Sequence, residues 1–186
     1  MAITIFKDFK INHEVPTEVY NKYVKELPKQ VMKVWEEYGF GSILNGYLKI
    51  VNPEEYQSLI SETYMRNANT TVLFVTGMGD VILWEDAGED EKYLVLVNFR
   101  KGVTSIIEAG FDFFFDDLQD MVFREENLDW SPYLEAVEKL GVPDFDECFG
   151  YTPLLGLGGE EKVEHLKKVK LKEHILLITE LMGPVQ

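Results

Sequence analysis

The sequence predicts an α+β fold in which a central, mainly antiparallel sheet has helices packed around it. Four runs rich in β-branched and aromatic residues lie between residues 70 and 107, separated by short glycine-containing or acidic turns. Stretches with apolar residues three and four positions apart precede and follow these runs. Strands joined by short turns pair antiparallel, because a parallel pair needs a crossover of about a dozen residues. The two periods together favour a meander of strands between helices.

Three helices and one short strand are predicted before the meander. Pro16-Thr17 opens the first helix, Pro28 suits the first turn of the second, and Gly39 ends it. The apolar run at residues 47–51 predicts a strand, and Asn52-Pro53 then supplies the cap and first turn of a third helix. The side chains expected on the buried sides of these helices are Val19, Tyr20, Tyr23, Val24, Leu27, Val31, Trp35, Tyr38, Tyr56, Leu59, Ile60 and Tyr64.

The meander is predicted to contain four strands joined by hairpins, with connections at residues 77–80 and 85–91. Within the third strand, residues 93–97 show no alternation of apolar and polar side chains. Such a run is typical of a strand that is covered on both faces. The predicted strands span residues 70–76, 81–84, 93–99 and 103–107.

Helical period returns after the meander, and one side of the predicted helix is strongly acidic. The helix begins near Gly110, with apolar residues toward the core and carboxylates toward solvent. Carboxylates four positions apart repel one another by roughly a few tenths of a kcal/mol per pair. The inner side is expected to hold Phe111, Phe114, Phe115, Leu118 and Val122. The outer side is Asp112, Asp116, Asp117 and Asp120, extended by Glu125, Glu126 and Asp129.

Four further elements are predicted toward the end of the chain. Ser131-Pro132 starts a helix that ends at Gly141. Another helix is expected to begin near Glu160. A short strand at Val169–Leu171 and a final helix at Glu173–Met182 complete the prediction.

Negative charge is concentrated in one third of the chain. Residues 85–147 hold eighteen acidic and five basic side chains, a net charge of −13, whereas the whole chain has a net charge of −15. Residues 1–84 have a net charge of −2, and residues 148–186 of zero. Such a field attracts a basic protein surface and repels nucleic acid and anionic lipid. The expected partner is therefore a basic protein, not nucleic acid or a membrane, although an acidic surface can also serve solubility alone.

No motif in the sequence indicates catalysis, a metal site or a cofactor. Gly156-Leu157-Gly158-Gly159 lacks the Lys-Ser/Thr of a phosphate-binding loop, and the Glu160-Glu161 that follows would repel phosphate. The three histidines are scattered, and the acidic side chains lack the order of a calcium loop. A Gly-x-Ser-x-Gly nucleophile elbow is also missing from the sequence. We therefore predict no catalytic residue, no metal ligand and no cofactor.

The expected location is the cytoplasm. Residues 1–9 contain two lysines but not the apolar core or cleavage site of a signal peptide. No apolar run approaches the roughly 20 residues that span a bilayer. The single cysteine, Cys148, excludes an internal disulfide and suits a reducing compartment. The oligomeric state is left open by the sequence.

Two groups of motifs resemble known bacterial families. The first group resembles the GAD-like domain and comprises Trp35-x-x-Tyr38-Gly39-Phe40-Gly41, the segment from Gly46 to Tyr56, and Gly79-Asp80-Val81-Ile82-Leu83-Trp84-Glu85. The second is the segment from Gly150 to Gly159, followed by Lys168-Val169-Lys170. It is similar to the C-terminal domain of the immunity proteins that accompany type VI secretion DNase toxins. The order and spacing of these motifs are more specific than any one of them.

The resemblance implies a protein that binds and neutralises a co-encoded toxin without catalysis. It also implies two parts, a GAD-like α+β domain at residues 1–141 and an immunity-type segment at residues 142–186, packed on the same body. A nuclease toxin holds DNA with lysine and arginine, so an acidic protein can occupy that same basic surface. The residues expected to contact the toxin are Asp112, Asp116, Asp117, Asp120, Glu125 and Glu126.

Two other functions stay open at this point. A regulatory or scaffold module related to the GAD-type inserts of translation enzymes would bind another protein or RNA, and for RNA it needs a basic or aromatic surface. A hydrolase would need a deep pocket with convergent polar groups and displaced pKa values. The basic residues that cluster in the sequence are Lys162, Lys167, Lys168, Lys170 and Lys172, offset by Glu160, Glu161, Glu164 and Glu173.

Overall fold

A seven-stranded antiparallel sheet with helices on both faces forms the body of the protein. The computed structural model describes residues 4–66, 68–88 and 91–186. The strands are β1 (Lys10–His13), β2 (Phe40–Ile43), β3 (Leu48–Ile50), β4 (Asn69–Thr76), β5 (Val81–Gly88), β6 (Glu91–Asn98), β7 (Val103–Ala109), β8 (Glu147–Tyr151) and β9 (Leu166–Lys170). The helices are α1 (Thr17–Tyr23), α2 (Lys29–Glu37), α3 (Gln57–Thr63), α4 (Phe114–Asp117), α5 (Met121–Leu128), α6 (Trp130–Leu140) and α7 (Leu171–Met182). Short 3-10 turns lie at Thr4–Asp8, Pro53–Glu55, Leu155–Leu157 and Val163–His165.

The α+β class and the antiparallel meander are confirmed. Strands β1 to β7 lie side by side in chain order, and each pairs antiparallel with the next. The four predicted strands of the meander correspond to β4, β5, β6 and β7, and the run at residues 47–51 contains β3. The sequence did not predict β1, β2 or β8, which have only four or five residues each.

Alternate side chains of the sheet enter two different cores. In β6, Leu94 and Leu96 belong to the core that includes residues of α1, α2, α4, α5 and α6. Val95 and Val97 belong to the core that includes residues of α3 and α7. All four side chains are buried, so the prediction that this strand is covered on both faces is confirmed. Among the described helices, none is both long and apolar enough to cross a membrane.

Side chains from beyond residue 141 pack in the same core as the helices before it. Phe149 of β8 and Leu166 of β9 are buried in the core that contains Leu128 and Tyr133. The hairpin of β8 and β9 is thus attached to the larger sheet through shared apolar contacts. The division into two parts at residue 141 stays a prediction.

Aromatic packing attaches the segment after β7 to the sheet. The ring of Phe74 on β4 lies 6.2, 5.4 and 6.1 Å from the rings of Phe111, Phe114 and Phe115. All four rings are buried. Each such pair contributes about 0.5–1.5 kcal/mol beyond the area that it buries. This cluster holds the inner side of the segment against the core, so the polar side chains between the rings face outward.

The single helix predicted from Gly110 is wrong, because the chain forms two short helices there. Helix α4 ends at Asp117, and α5 begins at Met121. The carboxylate of Asp120 accepts a hydrogen bond from the backbone N–H of Val122 at 2.9 Å and caps α5. An aspartate that caps a new helix has extended backbone angles and ends the previous helix. Val122, expected on the inner side, is 58% exposed as a result.

The helix predicted near Glu160 is also wrong. Residues 163–165 form only one 3-10 turn, and the chain then continues as β9. β9 pairs antiparallel with β8 over five residue pairs, with Cys148 opposite Val169. The pairing satisfies backbone hydrogen-bonding groups in the segment where the helix was expected. Tertiary contacts thus outweigh local propensity in this segment.

A buried ion-pair centre, made of Asp80, Arg100 and Asp129, ties one end of the sheet to the helices. Arg100 donates to Asp80 from Nε at 3.2 Å and from Nη2 at 2.5 Å, and its Nη2 lies 2.9 Å from the carboxylate of Asp129. The side chains of Asp80 and Arg100 are almost completely buried, whereas Asp129 is partly exposed. Burial alone lowers the pKa of Arg100, but the two carboxylates raise it above its usual value. The guanidinium therefore stays charged and joins three separate parts of the chain.

Candidate protein-binding surface

The six acidic residues expected to bind a partner all lie on the α4–α5 segment. Five of them are exposed, and the sixth, Asp117, is half-buried. The inner side of the segment is held by the aromatic cluster described above, so these side chains occupy its outer side. We call Asp112, Asp116, Asp117, Asp120, Glu125 and Glu126 the acidic face.

Neutral groups, not cations, are the partners of the acidic face within the described residues. Gln30 Nε2 donates to Asp112 at 2.8 Å, and Ser131 Oγ donates to Glu125 at 2.5 Å. Asp116 accepts a hydrogen bond from Gln119 Nε2 at 3.2 Å. Across residues 4–66, 68–88 and 91–186, no ion pair involves any of the six. Their negative charge is therefore not neutralised by the fold.

The carboxyl group of Glu108 on β7 lies beside the acidic face and shares a hydrogen bond with Asp117. Partial burial, then a hydrogen bond with Asp117 and the negative charge of that residue, together raise the pKa of Glu108 to about 7. Two carboxyl groups that share a site disfavour double ionisation. This neighbour of the acidic face did not stand out in the sequence, because Glu108 lies at the end of an apolar strand.

Much of the remaining acidic segment is neutralised. Asp86 lies 3.2 Å from Lys92, and the buried carboxylate of Glu85 lies 3.1 Å from Arg66. Asp129, which the sequence placed with the acidic face, instead belongs to the buried ion-pair centre. The net charge of −13 therefore overestimates the charge that has no cationic partner. Among the described residues, the carboxylates without such a partner include all six of the acidic face.

Buried titratable groups elsewhere serve the fold. Burial raises the pKa of the Cys148 thiol to about 12, so the thiol stays protonated and is a poor nucleophile. Burial lowers the pKa of Lys49 to about 8, and its Nζ donates to the backbone carbonyls of Asp144, at 2.8 Å, and of Glu147. Burial, and then the charge of Arg100, lower the pKa of His174. These groups hold β3, β8 and α7 together.

Four depressions lie among the residues that the structure describes, and none of these four is a deep enclosed pocket. Three of them have volumes of about 570, 600 and 520 Å³ and are open to solvent. An enclosed cavity lined by Arg100, Tyr151 and His174 has a volume of about 10 Å³, which is room for one water molecule. A hydrolase needs a larger enclosed site with convergent polar groups. None of the four depressions therefore has the form of such a site.

Several lysines of the cluster near the end of the chain already contact acidic side chains or backbone carbonyls. Lys170 lies 2.9 Å from Asp146, and Lys162 lies 2.8 Å from Glu160. Lys168 Nζ donates to a backbone carbonyl, that of Val142, at 2.8 Å. A surface that binds nucleic acid needs free cations for the phosphates. These contacts reduce the charge that a nucleic acid could use.

Sequence reasoning missed the apolar part of the surface. Phe113, which lies between acidic residues, is 67% exposed, and Met121 is 61% exposed. A signal existed for Phe113, because it lies outside the inner stripe formed by its neighbours Phe111, Phe114 and Phe115. The exposure of Met121 depends on the break between α4 and α5, which has no clear signal in the sequence.

Comparisons with known proteins agree with this fold. The GAD-like domain family matches residues 2–97. The family described as T6SS immunity protein Tdi1, C-terminal, matches residues 108–182. The crystal structure of Atu4351 from Agrobacterium tumefaciens is similar, with a TM-score of 0.72 and 16% sequence identity, over 94% of this chain and 86% of that chain. At this identity the likeness shows the fold alone. No curated protein matches the sequence.

Proposed function

We propose a function from one premise, which is that the chain belongs to the GAD-like domain family. Its C-terminal part also matches a family of type VI secretion immunity proteins. The proposed function is that of a non-catalytic immunity protein in the cytoplasm of the bacterium that makes it. The protein binds the toxin encoded beside its own gene, a nuclease, and neutralises it through the acidic face.

The observation that supports this role most strongly is the unneutralised charge of the acidic face. Proteins usually keep carboxylates separated or paired with cations, since like charges close together are unfavourable. Here six carboxylates within fifteen residues have no cationic partner among the described residues, while carboxylates nearby are paired. A surface with this charge attracts a basic partner over distances of about a Debye length, 8–10 Å, and speeds association.

A nuclease toxin supplies the matching charge. It must hold the phosphates of DNA with lysine and arginine, so its working surface is basic. An immunity protein needs only to occupy that surface, which requires binding and no reaction. The high pKa of the Cys148 thiol and the lack of a large enclosed pocket among the depressions described are compatible with this role.

The test is charge reversal on the acidic face. The double variant Asp116→Lys, Glu126→Lys changes two exposed side chains that contribute little to the fold. We expect its affinity for the co-encoded toxin to fall by about tenfold or more, because each new lysine faces a basic surface. Affinity measured at 50 and 300 mM salt should fall steeply for the natural protein and less for the variant.

The matched control is Glu173→Lys, Glu180→Lys on α7, which lies on the opposite face of the sheet. Its change in net charge is identical, and its two positions are also exposed. Equal weakening by both variants would show that net charge matters and the acidic face does not. The proposed function would be refuted if the natural protein neither bound the toxin nor protected cells from it.

A further inference from the structure

Three large apolar side chains are exposed on the same segment as the acidic face. Phe113 is 67% exposed, Met121 61% and Val122 58%. The neighbouring Phe114 and Phe115 are buried and supply the contacts of α4 with the core. Clustered apolar side chains on the surface of a soluble protein mark binding sites. We call Phe113, Met121 and Val122 the apolar anchors. None of the three belongs to the core on this side of the sheet.

Each apolar anchor lies about one helical turn from a carboxylate of the acidic face. The carbonyl of Phe113 accepts a hydrogen bond from the backbone N–H of Asp116 at 2.9 Å, so these residues bound the first turn of α4. Residues four positions apart in a helix lie on the same side. On α5 the pairs with this spacing are Met121 with Glu125 and Val122 with Glu126. The outer side of the segment therefore alternates apolar groups with negative charge.

This alternation fits one kind of partner, a protein cleft that binds a strand of nucleic acid. Such a cleft contacts the phosphates with lysine and arginine and stacks the bases against aromatic or apolar side chains. A second copy of this chain would bring two acidic faces together, and an anionic membrane would repel the surface in the same way. Charge complementarity thus selects the basic cleft, and the flat ring of Phe113 has the shape that a base site accepts.

We infer, resting on the proposed function, that the α4–α5 segment occupies the nucleic-acid cleft of the toxin. The carboxylates of the acidic face take the places of phosphates, and the apolar anchors take the places of bases. Binding of this protein and binding of DNA to the toxin are then mutually exclusive. The inference adds to the proposed function the site on the toxin and the way in which the toxin is inhibited.

The first test is displacement of a fluorescent phosphorothioate oligonucleotide, which resists cleavage, from the purified toxin by the full-length protein. Fluorescence anisotropy should fall to the value of the free oligonucleotide as the protein is added. The apparent Kd of the protein for the toxin should rise linearly with oligonucleotide concentration. A further rise in anisotropy would reveal a ternary complex and overturn the inference, as would a toxin that binds no oligonucleotide. In either case binding and protection by the protein would leave its immunity role standing.

The second test removes the apolar anchors without changing charge. We expect Phe113→Ser to weaken toxin binding by about 30-fold, the effect of a central contact in an interface, with unchanged salt dependence. Val122→Ser is a second variant with the same expectation, and both should keep the circular dichroism spectrum of the natural protein. The control is Leu177→Ser on α7, whose side chain is 46% exposed on the other face of the sheet. Natural affinity in both anchor variants, or equal loss in the control, overturns the inference.

Discussion

The buried ion-pair centre and the acidic face use the same kind of side chain, a carboxylate, under opposite physical conditions. In the centre, Asp80 is removed from water and accepts two hydrogen bonds from Arg100. On the acidic face, the side chain of Asp116 is exposed and accepts a hydrogen bond from the neutral side chain of Gln119. Burial multiplies the energy of an interaction between charges, whereas water screens it. One region therefore contributes to the stability of the fold, and the other contributes charge that a partner can use.

The difference between the two regions shows that acidic residues close together in the sequence can have different structural roles. Asp129 and Asp120 are nine positions apart and look alike in the sequence. Asp129 completes the buried ion-pair centre, while Asp120 caps α5 on the acidic face. Only the position of Arg100, contributed by a distant turn, separates their roles. The substitutions below are made at three main positions, Arg100, Asp120 and Glu108, and their effects should differ in size and in sign.

Breaking the buried ion-pair centre should have the largest effect. Arg100→Met leaves Asp80 buried and without its cation, and we expect the free energy of unfolding to fall by about 3–5 kcal/mol. Urea denaturation followed by circular dichroism measures the loss. Asp116→Asn on the acidic face, the matched comparison, should change the free energy by less than about 0.5 kcal/mol.

A double variant sharpens this comparison. Adding Asp80→Asn to Arg100→Met removes the uncompensated charge, so the loss should be smaller than the sum of the two single losses. Additive losses would show that the two side chains do not act as a pair. If Arg100→Met lowers the free energy of unfolding by less than about 1 kcal/mol, the centre contributes no more to stability than a surface ion pair does.

The sheet could be predicted because its strands are local and uniform. Residues 93–97 are apolar at every position, and this single run correctly indicated a strand buried on both faces. β8 could not be predicted in the same way. Its five residues are mixed in type, and it exists as a strand because Cys148 pairs opposite Val169, twenty-one positions away. Contacts of that kind have no local signal.

The position of the acidic face could be predicted, but its state of pairing could not. The acidic residues and the inner phenylalanines alternate in a way that places the carboxylates outside. Whether a cation lies beside them depends on how distant segments fold, as Asp129 and Arg100 show. Two of the apolar anchors, Met121 and Val122, were hidden for a related reason, since the break at Asp120 makes α5 a separate helix from α4.

Removing the cap at Asp120 should have an intermediate effect. Asp120→Ala loses the hydrogen bond to the N–H of Val122, and we expect a fall of about 1 kcal/mol in the free energy of unfolding. Asp120→Asn keeps an oxygen that caps the helix, so its free energy of unfolding should fall by only about 0.3 kcal/mol. Thermal unfolding of both variants checks this order. Equal losses would assign the effect to charge, because both substitutions remove the same negative charge.

Replacing Glu108 should have the smallest effect, and its sign should be opposite to that of Arg100→Met. Because the pKa of Glu108 is raised to about 7 in the folded protein, the folded state binds a proton that the unfolded state has lost above its ordinary pKa of 4.5. Stability from this group is fully present below pH 4.5 and is lost as the pH rises through 7. Glu108→Gln should therefore equal the natural protein at pH 4 and exceed its stability at pH 8.

The gain at pH 8 should be about 0.5–1 kcal/mol, since Glu108 is only partly buried and water screens its repulsion with Asp117. Urea denaturation at pH 4, 6 and 8 measures it, with the exposed Glu135→Gln on α6 as the control of equal charge change. A variant that is less stable than the natural protein at pH 8 would show that the carboxylates beside α4 are already satisfied. A gain confined to high pH would show that the fold loses stability where it gathers unpaired charge, as expected of a surface selected for binding.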